Sequence, residues 1–132
     1  MMKPIKRLFE TKILRIVAIS YTLFVTIIML LPFSGSSKIT IPYFDKIVHG
    51  VIYSIFTLVW FLNVAQWSKK NKATYILVSL VLFIYGIIIE FIQGSFVANR
   101  TEDFWDVVAN SIGIIVGIIL FYKVRDTFIL KN

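Results

Sequence analysis

Asp45, His49 and Tyr53 recur at every fourth position of the stretch FDKIVHGVIY, residues 44–53. On a helix, that spacing lines an acid, the chain's only imidazole and a phenol along one face. Asp45, one turn before His49, could fix the ring's tautomer and raise its basicity, as acid–base chemistry requires. A second polar pair, Glu90 and Gln93, stands three residues apart in the otherwise apolar run GIIIEFIQ. A carboxylate facing lipid costs several kcal/mol or takes up a proton, so Glu90 should face other helices. His49 and Arg100 are its available cationic partners. Asp106 and Asn110 form a third pair, one helical turn apart. Lys46 and Arg100 carry the charge and donors that phosphate groups seek.

Each of these residues also has a plainer reading. A single histidine is more often a hydrogen-bonded structural group than a catalyst. Glu90 could be hydrated by headgroups. Asp106, in a first helical turn, could cap the helix or complement its dipole. A metal on His49 with Asp45, Glu90 or Asp106 would lack the closely spaced second histidine of common zinc sites. No resident metal or cofactor is therefore expected. No nucleophile stands out, which favours binding over turnover.

The elements that must position these groups are membrane helices. The chain has 132 residues, 58% of them hydrophobic and 16% charged, with mean hydropathy +0.85. A soluble domain is nearer half apolar and a quarter charged. Four apolar spans follow, at about residues 13–31, 47–67, 74–93 and 104–122. Each approaches the roughly 20 residues that a spanning helix needs. The first exceeds the usual apolar core of a signal peptide and reads as a retained helix. The expected fold is an all-α four-helix transmembrane bundle in one domain, residues 1–132.

The net charge of +7 does not point to nucleic acid, because the basic residues flank apolar spans and form no stripe. Eleven of the fourteen Lys and Arg residues lie in the N-terminal segment, the second loop and the tail. By the positive-inside rule, both termini are expected in the cytoplasm. The N-terminal segment, with Lys3, Lys6, Arg7, Lys12 and Arg15, could also lie along an anionic leaflet. Five of the seven acids, Asp45, Glu90, Glu102, Asp103 and Asp106, are then expected at the opposite, outer level. With no cysteine, disulfides and thiolate chemistry are excluded. Gly113 and Gly117, in GIIVG, are spaced for close helix approach.

Taken together, FDKIVHGVIY, EFIQ at 90–93, Arg100 and DVVANSIGIIVG at 106–117 resemble the VanZ-like membrane proteins. The resemblance covers about residues 40–120; the first span resembles the family only in being apolar. It implies a multi-pass protein of the bacterial plasma membrane, with Asp45, Lys46, His49, Tyr53, Glu90, Gln93, Arg100, Asp106 and Asn110 as its polar residues. The founding member is associated with low-level resistance to the glycopeptide teicoplanin. The sequence expectation is an outward-facing pocket that binds or modifies a lipid-linked envelope component. Asp45, His49 and Glu90 are its candidate catalytic groups. Lys46, Tyr53, Gln93, Arg100, Asp106 and Asn110 are its candidate ligand contacts, and membrane lipids its partners. The alternative is an accessory protein whose polar residues only lock the helices together. Transport fits less well, because transport sites usually lie near the bilayer midplane.

Overall fold

Apolar runs with hardly a helix breaker inside them leave the backbone one economical option in lipid, the α-helix, which satisfies its own hydrogen bonds. The computed structural model describes residues 3–32, 43–68, 71–98 and 100–128, with side chains from 10 to 125 within those ranges. Among them it has four helices: α1 (Lys3–Leu30), α2 (Phe44–Ala65), α3 (Lys72–Phe96) and α4 (Phe104–Phe128). All four are long and apolar enough to cross a membrane. Large apolar side chains such as Ile16, Leu23, Ile76 and Phe91 remain exposed around the outside, as a lipid-facing surface requires.

The helices start and stop for local reasons. The α1 helix ends two residues before Pro32, whose ring disfavours helical geometry at the preceding residue. Tyr43, in the left-handed region at φ 61°, turns the chain into α2. The Asn71 side chain accepts the Ala73 amide at 3.1 Å and caps α3. Asp103 does the same for α4, accepting the Trp105 amide at 2.9 Å. The capping role open to Asp106 thus falls to Asp103. The helices are longer than the apolar runs alone suggest. The α1 helix begins ten residues before Ile13, α2 takes in Asp45 and Lys46, and α3 reaches Phe96. Residues 33–42, with Lys38, lie outside the described residues, as do Lys69, Lys70 and Lys131 and the side chains of Lys3, Lys6 and Arg7.

Helices α2 and α4 form the most extensive pairing. Glycine permits it. A Cβ on Gly113 would lie 2.5 Å from the Gly50 carbonyl oxygen, and one on Gly117 2.6 Å from that of Ser54. Backbone meets backbone along this seam. The α1 helix is tied on by hydrogen bonds: Tyr21 Oη donates to the Ile52 carbonyl at 2.8 Å, and Trp60 Nε1 to Thr22 Oγ1 at 3.0 Å. Hydroxyls such as Thr57 and Ser111 return their protons to carbonyls one turn back, so few polar hydrogens face lipid.

The apolar core has two parts. One, around Val25, Tyr53, Phe56, Leu82, Ile89 and Ile114, fills the middle. The other, around Phe61, Ala65 and Phe121, closes the end where α2 and α3 are joined. The opposite end collects the start of α2, the end of α3 and the start of α4, and it holds the polar residues.

Candidate functional site

A helix rises about 1.5 Å per residue, so Asp45, His49 and Tyr53 step down α2 in strides of about 6 Å. On α4, Asp106 and Asn110 make one matching stride. Glu90 stands six residues before the end of α3, at a comparable depth. The α2–α4 seam sets these strides side by side, and His49, Glu90, Asp106 and Asn110 are all buried between the helices.

Lys46 is the hub nearest the surface. Its Nζ lies 2.6 Å from Asp45 Oδ2 and 2.5 Å from both Asp103 Oδ2 and Asp106 Oδ1. An ammonium has three donors, and each meets a different carboxylate. The Lys46 ammonium, helped by the Trp105 amide, holds the Asp103 carboxyl below the usual carboxylate range. Lys46 therefore joins α2 to α4 as a neutralising strut, and this geometry does not present it as a phosphate hook.

One turn deeper lies the imidazole. His49 Nδ1 is 3.0 Å from Asn110 Oδ1. A carboxamide oxygen only accepts, so Nδ1 carries the hydrogen and Nε2 holds the lone pair in the neutral ring. Nε2 faces Asp106 Oδ2 at 3.7 Å, too far for a hydrogen bond. The orienting partner of His49 is thus Asn110, with Asp106 facing the other ring nitrogen. Asp45, expected to set the tautomer, is turned to Lys46 and is largely exposed.

Glu90 completes the group from α3. Its Oε1 accepts the Asp103 amide at 2.8 Å. Its Oε2 is buried with no hydrogen-bond partner among the described residues. One ligand-type atom from each of His49, Glu90 and Asp106 lies within 4.8 Å of the others. The Tyr53 hydroxyl is likewise buried and unpartnered among the described residues, deeper in the bundle. Gly86 makes room there: its missing Cβ would sit 3.2 Å from both Tyr53 Oη and Asn110 Nδ2.

Gln93 points elsewhere. Its Nε2 donates to the Met29 carbonyl at 2.5 Å. Met29 belongs to the last turn of α1, where carbonyls lack an intrahelical partner. Gln93 caps α1 from α3. Arg100 lies half-buried in the turn between α3 and α4, its amide donating to the Val97 carbonyl at 3.3 Å.

The family model described as VanZ/LLP1 matches residues 4–129. The chain belongs to this family. The VanZ/LLP1 match takes in α1, which by sequence resembled the family only in being apolar. No curated protein and no solved structure matches.

Sequence reasoning missed two features of this VanZ/LLP1 chain. One is Asp103 as a member of the site, as both helix cap and partner of Lys46. Its place immediately before Phe104, two residues short of the Trp105 amide, was the available signal. The other is Gly50 and Ser54, the small-residue partners that GIIVG meets on α2. The run GVIYS carries the same four-residue spacing.

Proposed function

We propose that the polar end faces the exterior of a bacterial plasma membrane and binds the headgroup of a lipid-linked envelope component. In this reading both termini are cytoplasmic, as the concentration of Lys and Arg away from the polar end favours. The observation that carries the reading is the convergence of His49, Glu90, Asp106 and Asn110, all buried, at one end of an otherwise apolar bundle. Packing alone does not call for a carboxylate oxygen buried without a partner. Such an atom costs about 1–3 kcal/mol, more for a charged group, and a bound ligand, ion or water that pairs with it removes that cost. His49 and Glu90 are the groups placed to exchange a proton with a bound headgroup, and Arg100 contributes positive charge at the rim. By analogy with the founding VanZ-like protein, the ligand would belong to the pathway that glycopeptides attack.

Membership of the family supports the membrane location and leaves the ligand to chemistry. The test compares His49→Ala and Glu90→Gln with the wild type at matched abundance, reading lipid co-purification and glycopeptide tolerance. We expect stable protein with lost co-purification and lowered tolerance. Unchanged values in both variants would refute the proposal. A second reading, a purely structural lock, is favoured by Lys46 and Gln93, whose donors are used up on neighbouring helices. It requires abundance, thermal stability and binding to fall together.

A further inference from the structure

Three groups at the polar end share a pattern. Each uses one atom for a contact that fixes its orientation and keeps another for something else. His49 commits Nδ1 to Asn110 and keeps Nε2. Asp106 commits Oδ1 to Lys46 and keeps Oδ2. Glu90 commits Oε1 to the Asp103 amide and keeps Oε2, buried and unpartnered among the described residues. Each kept atom is a Lewis base, and each parent residue is buried.

We propose that His49, Glu90 and Asp106 form a binding site for one divalent first-row cation, zinc or manganese. The inference does not rest on the lipid reading and holds whatever headgroup the recess takes.

The charge balance points the same way. Asp45, Asp103 and Asp106 surround one ammonium, that of Lys46, and share it among them. Glu90 has no share in it. Carboxylates brought together out of water repel unless a cation or a proton intervenes. A divalent ion supplies the missing charge where the unpaired oxygen lies.

The geometry is close to what such an ion needs. One ligand-type atom from each residue lies within 4.8 Å of the others, and Nε2 to Oδ2 is 3.7 Å. At metal–ligand distances of about 2.1 Å, a tetrahedral site places its ligands roughly 3.4 Å apart. Small side-chain movements close the gap. One imidazole nitrogen with two carboxylates is a mixed donor set: the imidazole suits zinc, the carboxylates suit manganese, and calcium, which takes six to eight oxygens, fits poorly. The outer contacts also fit: a ligating histidine commonly donates its other N–H to an oxygen, and ligating carboxylates are themselves hydrogen-bonded. Three protein ligands leave a coordination position open, the form found in catalytic sites. A ligand oxygen, such as that of a phosphate, could occupy it.

A different acidic group, Asp45, Asp103 and Asp106, has the spacing for an ion but already holds the Lys46 ammonium. The missing second histidine, which argued against a metal in the sequence, is offset here by a third helix that supplies Glu90.

The test uses the full chain without a histidine tag, in nanodiscs, stripped with chelator and titrated with zinc chloride or manganese chloride. Bound metal is counted by mass spectrometry after gel filtration. The expected result is one ion per chain. Affinity should fall more than about tenfold in Glu90→Gln and in His49→Gln, and stay unchanged in Glu10→Gln, which alters an exposed acid on α1. A readout on the wild type removes dependence on how the variants fold. Electron spin-echo spectroscopy of bound manganese should show coupling to an imidazole nitrogen, and His49 is the only histidine. Failure to saturate with either ion, or bound manganese without nitrogen coupling, would overturn the proposal. Affinity unchanged in a folded Glu90→Gln would overturn it too.

Discussion

The two ends of the bundle are held together by different physics. At the end near Phe121, three rings interlock. Phe61 lies 5.0 Å from Tyr75 and 5.3 Å from Phe121, the latter edge-on, and Tyr75 lies 5.5 Å from Phe121. At the end near Asp45, an ammonium, four carboxylates, an imidazole and two amides do the joining. Phe61 and Phe121 are satisfied by filling space, although the Tyr75 hydroxyl beside them is buried without a hydrogen-bond partner among the described residues. Charged groups bring demands with them, and at the Asp45 end not every demand is met within the protein, as Glu90 Oε2 shows. The difference lies in charge: near Phe121 the groups unpartnered among the described residues are the neutral Tyr75 hydroxyl and Asn63 amide, whereas near Asp45 one is a carboxylate oxygen, which calls for a cation or a proton.

The contrast can be broken from either side. The largest effect should follow Phe121→Ala. Lipid tails are as apolar as the core, so the cost is lost packing and the cavity left behind, about 2–4 kcal/mol. Thermal unfolding should shift down while metal and lipid binding, measured below the new transition, stay at wild-type levels. Loss of binding would mean the two ends are not independent. Next comes Lys46→Met, which leaves Asp45, Asp103 and Asp106 without their shared cation. Removing one partner of a buried ion pair costs about 3–5 kcal/mol; this lysine is partly solvated, so roughly 2 kcal/mol is expected. The Lys46 ammonium holds the Asp103 carboxyl below the usual range, so this part of the fall is lost once the pH drops through that lowered value and Asp103 is neutral. A pH-independent loss would show that Lys46 acts through packing alone.

The smallest change sharpens the comparison within the polar end itself. Gln93→Leu deletes the donor to the Met29 carbonyl and should cost about 1 kcal/mol. Hydrogen exchange should quicken at the last turn of α1, while metal affinity holds. Metal affinity falling with it would return Gln93 to the binding group.

Much of this was legible in the sequence. The four spans announced themselves, because a long apolar run has few other fates. His49, Glu90, Asp106 and Asn110 were correctly brought to one level, since helix ends and antiparallel turns fix depth. Direction around each helix axis was harder to read. Glu90 and Gln93 share a face only loosely: three residues of helix turn through 300°, leaving them about 60° apart. Where three helices meet, that offset sends Glu90 to α4 and Gln93 to α1. Lys46 was misread for a related reason. Its partners Asp103 and Asp106 lie 57 and 60 residues away, and no local pattern reports such a meeting. Asp45 was paired with His49 by spacing, but Lys46 is its immediate neighbour and takes its charge first.

The glycine seam has one more consequence. Where Gly113 lies against the Gly50 carbonyl, no side chain cushions the two helices. The gap between the His49 and Asp106 backbones is therefore a main-chain dimension, set by atoms that cannot change rotamer. A thicker or thinner bilayer can lean the pair as a unit, but it has no soft layer there to compress. The main-chain footing of the imidazole and the carboxylate is thereby kept across membranes of different composition, and only their side chains adjust.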